Sequence, residues 1–123
     1  MSMRFASGIV IAALAISAPA VAHHSFAMFD KGREIELKNA TVKDWQWTSP
    51  HTWLFVVGAD GAKYSIEGGN PGVMRRMGFT KGSMAPGDKI TVYISPLKSG
   101  QPGGAINAVR LANGQLLGER LKP

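Results

Sequence analysis

The chain has 123 residues, 45% of them hydrophobic, with 14 Lys and Arg against 8 Asp and Glu, a formal net charge of +6 and no cysteine. These figures exclude a disulfide scaffold and a thiol nucleophile, and leave packing alone to stabilise one small domain. Apart from Arg75-Arg76 the basic residues are scattered, which fits a solvated surface better than a nucleic-acid or membrane patch.

Residues 1–22 read as a secretory signal. Met1 to Arg4 give a positive end, Phe5 to Ala18 an apolar run too short to span a bilayer, and Ala20-Val21-Ala22 a small-x-small cleavage pattern. No later run is long enough to cross a membrane. The expectation is a soluble periplasmic or secreted protein with a single β-barrel domain at residues 23–123. Cleavage after Ala22 exposes His23-His24-Ser25, an α-amine beside two imidazoles, and that nitrogen set suits copper or a similar metal. Ala18-Pro19-Ala20 offers a second cut, which puts His23 third from a free amine, again a copper-competent terminus. The competing reading is a terminal tail that holds no metal.

Asp30 to Arg33 reads as a turn, with residues 24–29 pairing back along the first strand. That pairing puts His24 beside Asn39 and His23 beside Ala40, roughly 23 Å of extended strand from Trp47. Residues 34–47 form a long strand whose alternation slips twice. Bulges near Asn39-Ala40 and Lys43-Asp44 restore the apolar face and coil the strand.

Thr52 to Gly58 and Ala62 to Gly68 form a hairpin with a two-residue turn at Asp60-Gly61. That turn sets Val57 against Tyr64, Phe55 against Ile66 and Trp53 against Gly68, with the apolar residues matched across the pair. Asn70 caps a short helix that starts at Pro71, carries Val73, Met74 and Met77, and ends at Gly78. Met74, Met77 and Met84 fit core packing better than metal ligation. Pro86-Gly87-Asp88 is a turn, and Lys89 to Ser95 is a strand with Ile90, Val92 and Ile94 inward. Residues 96–104 read as a loop, Ala105 to Ala112 as a strand, and Gln115 to Leu117 as a short return after Asn113-Gly114. The order predicts a mainly β fold: a small five-stranded OB-like barrel with one short helix between strands 3 and 4.

The remaining histidine, His51, lies between Trp47 and Trp53 in a connection stiffened by Pro50. Extending the hairpin places it opposite Asn70 at the helix start, with Glu67 close by. Trp47, Pro50, Trp53, Glu67 and Asn70 are therefore candidate ligand-binding residues, favourable for an anion. His51 is equally a candidate third metal ligand beside His23 and His24, or part of a separate site. The alternative for His51 is a loop cap made through a backbone hydrogen bond. No Ser-His-Asp set or carboxylate pair suggests hydrolysis, so a non-enzymatic role is favoured. The aromatic residues are expected mainly in the core, and nucleic acid is not an expected partner.

Several of these residues also form a pattern. His23-His24-Ser25-Phe26 after the leader, Phe29-Asp30, Trp47 with Pro50-His51, Ile66-Glu67-Gly68-Gly69 with Pro71, Arg76 with Gly78-Phe79, and Pro86-Gly87-Asp88 span residues 22–118. In these the chain resembles a family of small exported bacterial proteins known as a domain of unknown function; Ser49 stands where the family usually has Asn. The resemblance implies a periplasmic address and a single β-rich domain, and favours a site over a free tail at the His pair. Two functions remain open: a small binding protein that takes up copper through His23, His24 and His51, and a metal-free module. The second would hold an anionic ligand or a partner protein through the Trp47–Trp53 loop.

Overall fold

The computed structural model describes residues 27–122, together with Met3 and Gly8. The predicted leader cut and the His23-His24 pair lie outside the described residues. Among the described residues the elements follow in the order β1 Ile35–Gln46, β2 Trp53–Val57, β3 Lys63–Glu67, α1 Pro71–Arg76, β4 Lys89–Pro96, β5 Gly103–Arg110 and β6 Leu116–Gly118. Antiparallel pairing runs β3-β2-β1-β4-β5, and a parallel pairing of β3 with β5 closes a five-stranded barrel, leaving β6 outside against β5. This is the predicted OB-like arrangement, with α1 between β3 and β4. Among the described residues no helix is long and apolar enough to cross a membrane.

The two slips in β1 are bulges. The register against β4 shifts between Leu37 and Ala40, and that against β2 between Val42 and Asp44. Asn39 takes a positive φ of 54° at the first, which Asn tolerates better than most residues. The bulges keep Ala40, Val42 and Trp45 buried while the strand bends from β4 to β2. Trp45 packs on Phe79 and donates its indole N–H to Thr80 O at 3.0 Å.

The β2–β3 hairpin corrects the predicted register by one residue. Gly58 N donates to Ala62 O, Gly61 N donates to Gly58 O, and Gly61 has a φ of 83°. The loop is therefore three residues, Ala59 to Gly61, with the glycine in the left-handed position that such loops require. The pairs become Leu54 with Ile66, Val56 with Tyr64, Phe55 with Ser65 and Trp53 with Glu67. Leu54, Val56 and Ile66 go inside, and Trp53 and Phe55 turn to the outer face, half-buried.

A second correction concerns β5, which starts at Gly103, not Ala105. A Cβ on Gly103 would sit 2.7 Å from Ser65 O, and one on Gly104 would sit 2.3 Å from Ser95 O. These glycines are strand residues because β5 is wedged between β3 and β4 where the barrel closes. Helix α1 forms as predicted: Asn70 Oδ1 accepts from Val73 N at 2.9 Å, Pro71 opens it, and Gly78 follows it with a φ of 96°. Met74 and Met84 are buried, and Met77 packs against the core.

Both faces of β4 are covered. Ile90, Val92 and Ile94 face the core, while Tyr93 and Ser95 are buried on the other side. Arg120 lies over the Tyr93 ring at 4.0 Å, and Asn107 donates to both Ser95 Oγ and Glu34 Oε2. Finally, Phe29 is buried and makes an antiparallel bridge to Leu97, just beyond β4. Ile35 pairs with the same strand, so residues 29–35 continue the direction of β1 and do not fold back along it.

Candidate functional site

The connection from β1 to β2 and the end of β3 meet at one side of the barrel. Thr48 Oγ1 donates to His51 O at 2.6 Å across the loop, and the Ser49–Pro50 peptide bond is cis. Thr52 is fully buried. Its N–H and its hydroxyl both donate to Gly69 O at 2.9 Å, while its carbonyl accepts from Gly68 N at 2.8 Å. Two glycines thus face one threonine, a bulge at the end of the ladder. A Cβ on Gly68 would fall 2.2 Å from Thr52 Oγ1, so the glycine is a packing requirement.

That bulge turns the Gly68 carbonyl toward His51. His51 Nδ1 lies 3.2 Å from Gly68 O and 3.2 Å from Glu67 Oε1. A carbonyl oxygen only accepts, which assigns a hydrogen to Nδ1; in the neutral ring Nε2 then carries the lone pair. The His51 side chain is 38% exposed and Glu67 13%, so the imidazole faces solvent over a largely buried carboxylate. A ring held by a carboxylate and a carbonyl on one nitrogen is the arrangement that orients the other nitrogen toward a metal or a hydrogen-bond donor.

The predicted ligand residues divide into two groups. His51, Glu67 and Trp53 come together, since Trp53 is paired with Glu67 across β2 and β3. Trp47 is half-buried, tilted on Trp45 with ring centroids 5.7 Å apart, and the Arg75 guanidinium stands over it at 5.5 Å. It therefore links the loop to α1 as well as walling it. Pro50 is exposed at the loop tip. Asn70 follows the Gly68-Gly69 bulge at the helix start, and its side-chain oxygen is engaged as the helix cap. Among the described residues no group of three or more His, Cys, Asp or Glu side chains could hold a metal. His51 and Glu67 need further donors for that.

The sequence reading missed Phe55, Ser65, Lys43 and Lys63 on the outer face. The signal was present in Gly61, whose place after Ala59-Asp60 marks a three-residue loop and reverses which side chains of β2 point outward.

A family model described as a family of unknown function, DUF6152, matches residues 11–107, from within the predicted leader to within β5. No curated protein and no solved structure matches the chain.

Proposed function

We propose, for a chain that belongs to the DUF6152 family of unknown function, a non-enzymatic role outside the cytoplasm: binding copper or a similar metal. His51 supplies one donor through Nε2, His23 and His24 supply the others after removal of the leader, and Glu67 orients the His51 ring. The observation that carries this reading is His51 Nδ1 at 3.2 Å from both Glu67 and the Gly68 carbonyl. An imidazole fixed in that tautomer loses little freedom on ligation, and its outer partner raises its basicity.

Reach does not oppose a joint site. The rows Phe29–Leu97, Leu97–Gly103 and Gly103–Ser65 are adjacent around the closed barrel, so Phe29 stands three strand spacings, ~15 Å, from β3. Four residues lie between His24 and Phe29, and with Ala27 and Met28 helical the stretch spans up to ~15 Å. The two lengths are of the same order.

The test is calorimetry and electron paramagnetic resonance with Cu(II) on protein beginning at His23, its start verified by mass spectrometry. Tight binding is expected, weakened about tenfold or more by His23→Ala and by His51→Ala, and less by Glu67→Gln. Binding that only His23→Ala weakens would reject the joint site. If neither substitution matters the metal reading falls, and a metal-free module leads. One observation favours that second reading: the Arg75 guanidinium over Trp47 places a cation beside the loop, where an anionic group would meet it.

A further inference from the structure

The corrected hairpin register gives the barrel an outer face that the metal reading uses only at its edge, through Glu67. Trp53 and Phe55, two residues apart on β2, present near-parallel rings with an interplanar angle of 16° and centroids 6.2 Å apart. Polar side chains occupy the paired positions on both sides. Asp44 of β1 and Ser65 of β3 flank Phe55, and Gln46 of β1 and Glu67 of β3 flank Trp53. Gln46 Nε2 donates to Asp44 Oδ2 at 2.9 Å, which holds the amide and carboxylate side by side. Beyond Phe55 the face opens into a cleft of about 580 Å³ lined by Lys43, Phe55, Val57, Lys63 and Ser65. Lys43 and Lys63 are exposed, and neither ammonium has a hydrogen-bond or ion-pair partner among the described residues.

We infer that this face binds an acidic oligosaccharide, with sugar rings laid on Trp53 and Phe55 and a carboxylate or phosphate substituent held between Lys43 and Lys63. Aromatic faces carry negative potential and attract the partly positive C–H face of a sugar ring. Asp44, Gln46 and Ser65 at the edge of those rings supply the acceptors and donors that neighbouring hydroxyls require. The two free ammonium groups supply the charge complement for one acidic substituent. A single-stranded nucleic acid fits less well. The two cations gather at one end of the rings, and among the described residues no row of cations follows the face as a phosphate chain requires.

The test uses the protein beginning at His23, without metal, and follows tryptophan fluorescence and backbone amide shifts. A galacturonate hexamer, a neutral chitohexaose and a ten-nucleotide oligothymidylate are titrated in turn. The galacturonate hexamer is expected to bind saturably, moving the amides of Phe55, Lys63 and Ser65. Trp53→Ala should weaken it at least tenfold. Lys43→Gln with Lys63→Gln should weaken it about tenfold while leaving the weaker binding of chitohexaose unchanged. Should Trp53→Ala not fold, the exposed lysine pair carries the test alone. The inference is overturned if no saccharide moves these amides, if the oligothymidylate binds more tightly than the hexamer, or if the folded variants bind like the parent. Because none of these readouts involves His51 or copper, this inference and the metal reading fail separately.

Discussion

Arg120 Nε donates to Glu34 Oε1 at 2.9 Å and so ties the segment after β6 to the residue just before β1. The same carboxylate accepts from Leu121 N at 2.8 Å and from Asn107 Nδ2 at 3.1 Å. Burial alone would push its pKa up, but the Leu121, Arg120 and Asn107 hydrogen bonds outweigh burial and hold the carboxyl below its ordinary value. A carboxyl depressed on folding contributes stability that is present above its unfolded pKa, ~4.3, and is lost as pH falls through the folded one. Glu34→Gln should therefore lower the melting temperature at pH 7. The gap between variant and parent should shrink as the pH is taken below 4. A gap that stays constant across that range would contradict the assignment.

Barrel closure predicts the cost of adding a methyl group at two positions. Gly103→Ala meets Ser65 O and Gly104→Ala meets Ser95 O, backbone atoms that move only if β3 or β4 moves. Each substitution should destabilise by about 1–3 kcal/mol or more, the larger effect falling at Gly104. Urea unfolding with two independent probes measures it. Gly114→Ala serves as the contrast, because a Cβ there meets nothing and only its φ of 88° opposes the change.

At the candidate site, Gly68→Ala should act on stability and on His51 together. The new methyl displaces the Thr52 hydroxyl from Gly69 O, and a buried hydroxyl left without its partner costs about 1–3 kcal/mol. Since Gly68 O is also an acceptor for His51 Nδ1, the imidazole resonances should shift as well. Unchanged histidine signals in a destabilised variant would show that the bulge does not position the ring.

Trp45→Phe should leave the ring contact with Phe79 largely in place but remove the bond to Thr80 O. A loss of about 1–2 kcal/mol is expected, measured by thermal unfolding. A loss near zero would mean that water reaches Thr80 O once the indole is gone.

The architecture was legible where side chains alternate and where a bulge announces itself by a slip, as at Asn39 and Lys43 in β1. The helix was legible because Asn70, Pro71 and Gly78 each carry a local preference for their position. Other features depend on contacts distant in sequence. Gly103 and Gly104 look like loop residues until Ser65 and Ser95 are known to press on them. Tyr93 is covered by Arg120, and Ser95 is held by Asn107 of β5. The pairing of His51 with Glu67 was visible in outline, but the turn at Asp60-Gly61 misled by one residue and moved Trp53 and Phe55 to the wrong side. The cap at Asn70 was legible because Asn before Pro71 has a local preference for that position.

Strand β5 touches β3, β4 and β6, and among the described residues no other strand has three partners. Its distance along the chain from β3 makes the seam between them a pairing of high sequence separation, with a loop-closure cost to match. A nascent or truncated polypeptide that stops short of Gly103 would carry the open edges of β3 and β4 side by side, both able to recruit foreign strands. Arrival of β5 is thus what separates a self-sealed barrel from one that keeps two strand edges open.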